Sequence, residues 1–290
     1  MSYRMQKKIL LIGFLFIPML LMLLFLVWPA IRMVFYSFTN WDGSLPEYKF
    51  TGLRNYKLVF TDSTLWVLLK NNGAYALVGI LQTFIALAFA VLVTQKMRGR
   101  GFYKTIIFMP YVLNITAVAY MFNFMYDYNE GPINIFMRFI QAEPIRFFSD
   151  KNIAIFTLVS MSLWRWLGYT MVIYIAALQS IEPEIYESSV IDGANAWQNF
   201  RYITLPNITR IVELQMFLAL NGSLQAFTET LILTKGGPGN STFTFMYYVI
   251  DNYFNYQQYG FAAAMSVVLV FIILILTGIQ RKVVKGGISI

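Results

Sequence analysis

The sequence predicts an all-α, polytopic membrane protein with six transmembrane helices, and three observations carry that prediction. Of its 290 residues 58% are hydrophobic and only 12% are charged, about half the charge expected of a soluble domain. Apolar windows of about twenty residues, long enough to cross a bilayer as helices, fall at roughly 9–35, 72–95, 105–126, 153–178, 206–233 and 258–280. Lys and Arg gather in alternate connections, as the positive-inside rule requires of a six-span chain.

Those basic groups are Arg4, Lys7 and Lys8, then Lys96, Arg98, Arg100 and Lys104, then Arg281, Lys282 and Lys285. All three fall on one side, so both termini are expected in the cytoplasm, with the chain in the plasma or bacterial inner membrane. The same placement accounts for the net charge of +8: the bases flank membrane segments instead of forming one patch, and no nucleic-acid partner is expected. The chain contains neither Cys nor His, which excludes disulfides, Cys/His metal centres and His-dependent triads. Short connections make residues 1–290 one expected domain.

In chain order, the first window is too long for a signal peptide and lacks a small-x-small cleavage site, so it reads as a retained span. The connection from Thr39 to Lys70 is rich in turn residues and is expected outside, over the membrane mouth. Pro110 is expected to break the third span near mid-depth and to open a cavity beside Tyr111. The turn N-E-G-P-I-N precedes a short amphipathic stretch at 133–140.

The fourth span holds Arg165 between Trp164 and Trp166, with Tyr169 one turn on. An intramembrane arginine either pairs or snorkels, or donates hydrogen bonds to a solute in a cavity; both readings stand on sequence alone. The aromatics suit the C–H face of a sugar ring or ordinary packing. The fifth span carries Asn221, Gly222, Ser223, Gln225 and Thr228, which let donors and backbone approach a ligand or a neighbouring helix. Glu213 and Glu229 sit toward its inner and outer ends, at depths that do not match Arg165, so no pair is drawn. The Gly-rich run at 235–239 forces an irregular loop; it lacks the G-K-[ST] ending of a phosphate loop and is expected outside the cell.

Between the fourth and fifth spans lies the most patterned connection, 182–205. Pro183 suits a first helical turn. Tyr186, Val190 and Ile191 recur at helical spacing beside Ser188 and Ser189. Gly193 permits a sharp elbow, and Ala194, Trp197 and Phe200 give a second apolar face. Two short helices with a glycine elbow form a rigid peg, unless the segment is an amphipathic loop lying on headgroups.

Glu187-Ser188-Ser189, Asp192-Gly193-Ala194, Phe200, Ile203 and Leu205-Pro206 resemble the E-A-A-x-x-x-G loop of ABC-importer membrane subunits, with both alanines replaced by serine. Gly52, Asn55 and Tyr56 match a G-x-x-N-Y element of the same family. The T-x-G-G-P stretch, Tyr247-Tyr248 and the segment Tyr259–Ser266 resemble the carbohydrate branch, in particular the first permease subunit of maltose, lactose, glycerol-phosphate and multiple-sugar systems. The resemblance implies the type I ABC importer permease fold, with 182–205 as a cytoplasmic coupling loop engaging the ATPase through Tyr186, Glu187, Ser188, Ser189, Asp192, Gly193, Ala194 and Trp197. It implies a second homologous permease subunit, two ABC ATPase subunits that bind ATP and Mg, an extracellular solute-binding protein, and a carbohydrate substrate. Carried over in an ungapped register, its sugar contacts fall on Tyr111, Trp166, Tyr169, Gly222 and Ser223; an asparagine of that set becomes Ala226, with Gln225 beside it. No Walker motif occurs, so no enzyme and no bound cofactor are expected in this chain. A secondary transporter of a small polar solute is the rival reading, but it calls for intramembrane carboxylates or broken helices in paired repeats, and no repeat is apparent. A membrane-embedded enzyme or scaffold lacks the His, Cys and carboxylate clusters that catalysis uses.

Overall fold

A computed structural model describes residues 3–43, 48–94 and 99–287, side chains at 9 and 283–287 excepted. Lys96 and Arg98, two of the bases used to orient the chain, lie outside the described residues, as do Ser44 to Glu47 of the connection from Thr39 to Lys70 and the side chain of Lys285. The described chain is predominantly helical, and its one extended pairing is an isolated bridge between Thr39 and Phe50. Three helical segments are long and apolar enough to cross a membrane, at Tyr3–Tyr36, Thr64–Thr94 and Tyr259–Lys282; a bent pair at Arg100–Val112 and Ile115–Met125 makes up to a fourth.

The chain divides into two compact units. The first joins residues 1–62 to 249–271. Helix α1 (Tyr3–Met22) passes through a π-helical turn at Leu23–Val27 into α2 (Trp28–Tyr36). None of its apolar window is buried within the chain, as befits a helix whose solvent is lipid or another subunit. Beyond it, α3 (Arg54–Thr61) anchors the connection from Thr39 to Lys70 through the G-x-x-N-Y residues. Gly52 adopts a left-handed φ of +61°. Asn55 Nδ2 donates to the carbonyls of Ser37 and Thr39 at 2.9 and 2.7 Å, and the Tyr56 hydroxyl meets Ser37 Oγ at 2.6 Å. These bonds satisfy backbone acceptors that the end of α2 leaves open.

The second unit, 63–248 with 272–290, contains the expected site. Helices α4 (Thr64–Thr94) and α8 (Ala154–Gln179) form its centre, with α5 (Arg100–Val112) on α8 and α11 (Leu205–Leu224) on α4. Lipid gives helices no hydrophobic reason to associate, so close approach through small residues must hold them. A Cβ at Gly168 would come within 1.9 Å of the Ile107 carbonyl oxygen, and one at Gly79 within 3.3 Å of the Ala219 methyl. Ala86, Ala90, Met171, Tyr174 and Ile208 fill the space between α4, α8 and α11.

The third apolar window departs from expectation in detail. Pro110 lies inside α5, which continues to Val112; the chain then turns by 99° into α6 (Ile115–Met125). The corner is set by Asn114, whose side chain accepts from the Thr116 and Ala117 N–H groups at 2.8 and 3.4 Å, an N-cap that starts a new helix. The amphipathic stretch appears as α7 (Pro132–Phe139), with Pro at its start. The fifth window is also broken: α11 ends at Leu224, residues 225–227 are non-helical, and a π-turn follows at Thr230–Thr234. The Gly-rich run beyond it folds back on itself, with Thr242 Oγ1 bonded to Thr234 Oγ1 and to the Gly237 carbonyl, both at 2.8 Å.

Adjacent asparagines on α4 hold these irregular stretches. Asn71 Nδ2 donates to the Ser241 and Phe243 carbonyls at 2.8 and 2.7 Å. Asn72 Nδ2 donates to the Ser223 carbonyl at 2.6 Å, and its Oδ1 accepts from Phe245 N–H at 2.8 Å. Asn72→Ala strands one buried donor and one buried acceptor, so it should lower stability by about 2–4 kcal/mol. A fall in the thermal midpoint of the purified protein, larger than that from Asn152→Ala at an exposed site, is the expected reading.

Candidate functional site

Both breaks border one cavity. Its volume is about 510 Å³, within the range of pockets that enclose small solutes. Residues from α4 (Tyr75, Gln82), from the corner (Tyr111, Ile115), from α8 (Arg165, Trp166, Tyr169) and from the broken fifth window (Gly222, Ser223, Gln225, Glu229) line it. The seven residues named from sequence for a substrate pathway, Tyr111, Arg165, Trp166, Tyr169, Gly222, Ser223 and Gln225, therefore share one space. Of the five polar or small positions in the fifth window, Asn221 alone is missing from the lining; its amide bonds back to the Phe217 carbonyl at 2.9 Å.

The aromatic wall is packed. Tyr111 stacks on Tyr169 at 4.7 Å and meets Trp166 at 5.3 Å, while Trp166 stands edge-on to Tyr169 at 5.8 Å. Arg165 lies over this cluster, its guanidinium carbon 5.5 Å from the Trp166 ring and 6.0 Å from the Tyr111 ring, within cation–π range. Trp164 does not join it. Its ring faces Phe122 at 5.5 Å, in the cluster of Val118, Ala119 and Met161. Two residues along a helix turn about 200°, so Trp164 and Trp166 cannot both face the cavity.

Opposite the aromatics the chain opens. A Cβ at Gly222 would meet nothing within 4 Å, so this glycine leaves free volume. Ser223 is buried, with its hydroxyl on the Leu220 carbonyl at 2.7 Å. Gln82 and Gln215, which sequence reasoning passed over, supply two further amides; Gln82 Nε2 reaches Thr170 Oγ1 at 3.2 Å. Glu229, which the sequence sets at a different depth from Arg165, lines the same cavity. Glu213 is elsewhere, its carbonyl accepting from Gln280 Nε2 at 3.0 Å. No group of three or more metal-ligating side chains occurs among the described residues.

The 182–205 segment forms a second candidate site. Helix α9 (Pro183–Ile191) begins with Glu182 at its N-cap and Pro at its start. Gly193 turns the chain at a φ of +82°, and α10 (Ala196–Gln198) opens with a capping box between Asn195 and Gln198. A π-helical stretch, Asn199–Thr204, then leads without interruption into α11. The faces are sorted. Tyr186 points inward, its hydroxyl 2.9 Å from Thr204 Oγ1, packed with Phe200 and Leu205. Ser189 is buried and Ser188 exposed, each hydroxyl bonded to a carbonyl three residues back. Outward stand Glu187, Val190, Ile191 and Trp197, with Ile191 86% exposed and Trp197 68% exposed. Asp192, Gly193 and Ala194 border a shallow hollow with Asn199 and Tyr202.

Comparison with known proteins gives one answer. Residues 82–286 match the family model described as "Binding-protein-dependent transport system inner membrane component". The "Probable ABC transporter permease protein YurN" of Bacillus subtilis is 32% identical over 288 residues, 97% of this chain and 98% of that protein. The "Multiple sugar-binding transport system permease protein MsmF" of Streptococcus mutans is 30% identical over 275 residues, 94% of each. Among solved structures, a chain of a bacterial ABC transporter involved in the import of the acidic polysaccharide alginate superposes with a TM-score of 0.85 at 20% identity, over 99% of this chain and 98% of that one; this likeness establishes the fold. The chain belongs to the inner-membrane components of binding-protein-dependent transport systems, and is an ABC-importer permease, a transport component rather than an enzyme.

Proposed function

We propose that this chain is one permease half of an ATP-driven, binding-protein-dependent sugar importer, and that the cavity beside Arg165 is its solute site. The observation that carries the reading is the convergence of Tyr111, Trp166, Tyr169, Gly222, Ser223 and Gln225, drawn from three separate apolar windows, on one cavity. Aromatic faces next to amides and hydroxyls suit a pyranose, which offers C–H patches and hydroxyls together. The sugar-transport names of several relatives support the same class.

In this reading the chain crosses the membrane six times with both termini in the cytoplasm. A second homologous permease completes the pathway, an extracellular binding protein delivers the sugar, and two cytoplasmic ATPase subunits supply the work with their own ATP and Mg. The 182–205 peg docks into an ATPase through the outward face at Glu187, Val190, Ile191 and Trp197. Exposed apolar side chains of that size on a short helix favour a protein groove as their partner. Glu187 is placed to meet a cation there, and Tyr186, held by Thr204, braces the peg from within. Gly193 fixes the elbow.

Three outcomes test the reading. Gly222→Phe builds a ring outward from a position where a Cβ meets nothing within 4 Å, so the assembled importer should keep its amount in the membrane while sugar uptake falls at least about tenfold; unimpaired uptake would remove the cavity from the pathway. Gly193→Val forces a β-branched residue into a left-handed backbone at a cost of about 1–2 kcal/mol, and should leave insertion intact while ATP hydrolysis no longer drives uptake. Tyr186→Phe removes one buried hydroxyl pair worth about 1 kcal/mol, which hydrogen exchange should report as faster opening of 183–191 with little change elsewhere.

A further inference from the structure

Two buried amides on one level of the cavity have hydrogen-bonding capacity that the fold does not use. Helices α4 and α11 pack in opposite directions: Asn72 bonds the Ser223 carbonyl, and Gly79 faces Ala219. Gln82 lies three residues beyond Gly79 and Gln215 four before Ala219, so this packing brings the two level. Both line the cavity. Thr170 of α8 joins them, its Oγ1 accepting from Gln82 Nε2 at 3.2 Å. Seven residues along α4 from Tyr75, and seven along α11 from Gly222, this tier is offset by about 10 Å from the one that holds Tyr75, Gly222 and Ser223.

The hydrogen bonds of the tier do not close. Gln215 is 3% exposed, and its side chain has no partner among the described residues, although an amide offers two donors and an acceptor. Gln82 is 8% exposed; one N–H goes to Thr170, and its Oε1 has no partner among the described residues. Asn71 and Asn72, buried amides on the same α4, are by contrast committed to backbone groups. An unpaired amide in apolar surroundings is costly, and a methionine would occupy the space without that cost. The sugar contacts that the family resemblance implies, at Tyr111, Trp166, Tyr169, Gly222 and Ser223, include neither glutamine.

We propose that Gln215 and Gln82 determine specificity by reading one hydroxyl of the solute at this level: the hydroxyl accepts from the Gln215 amide and donates to Gln82 Oε1. This rests on the sugar-importer reading above and adds to it a contact from α4 and a second from α11. A hydroxyl is the group that donates and accepts at one atom. A solute lacking it leaves both amides buried and unpaired, which is how a polar site rejects a deoxy analogue. Thr170 is a positioning residue, since it fixes the Gln82 amide.

The test uses the whole assembled importer with its binding protein, reconstituted in vesicles. The probes are the radiolabelled neutral saccharide that wild type takes up fastest from a panel, and its single-position deoxy analogues. The same binding protein serves every variant, so its own preferences cancel when variants are compared. Gln215→Met should lower the parent-to-deoxy uptake ratio at one hydroxyl position by at least about tenfold. The thermal midpoint of the purified variant should be unchanged or raised, because replacing an unpaired amide by an apolar chain of similar length removes a desolvation cost. A merely structural role would lower the midpoint and leave the ratio alone. A wild-type ratio at every position overturns the proposal, as does a lower midpoint or a failure to insert, either of which assigns the amide to the fold. Those results leave the sugar-importer reading intact, whereas a wild type that takes up no saccharide removes that reading and the proposal with it.

Discussion

Inside hydrocarbon a backbone N–H or carbonyl without an internal partner costs several kcal/mol, and this constraint organises the protein. Where the helices run unbroken, their own ladders meet it. Where they break, after Val112 and at 225–227, side chains meet it instead: Asn114 caps the new helix, and Asn72 takes the Ser223 carbonyl and the Phe245 N–H. The cavity opens beside these two breaks. Irregular backbone at membrane depth persists only against protein or a polar space, and here both breaks border the cavity.

Much of this was legible in the sequence, for reasons that differ from residue to residue. Pro183 and Gly193 act locally, one fixing a first turn and the other a left-handed corner, and both sit where their chemistry places them. The amphipathic stretch after Gly131 was equally local. Asn71 and Asn72 were not readable, because their partners lie about 150 to 170 positions away and an amide in an apolar helix looks alike whether it pairs or lines a pore. Pro110 drew attention to the third window, but the corner lies at Asn114, where a side-chain acceptor competes for the backbone.

Glu229 shares a cavity with Arg165 although their places along the sequence suggest different depths. Depth counted along a sequence assumes a constant rise per residue, and a three-residue interruption removes that assumption. Trp164 marks the opposite case: helical geometry alone separates it from Trp166, since neighbours two apart face away from each other. Hydropathy windows likewise found the apolar stretches without revealing which were straight. Two of the six are bent or interrupted, and both border the cavity together with the unbroken second and fourth.

The π-helical stretch at Asn199–Thr204 runs into α11 without a joint, giving a single rod of 26 residues, about 39 Å long at 1.5 Å per residue. One end emerges from the Gly193 elbow and the other carries Gly222 and Ser223. No turn or loop interrupts the helix between the two. The segment after the elbow and the cavity wall at Gly222 and Ser223 are thus two ends of one continuous helix.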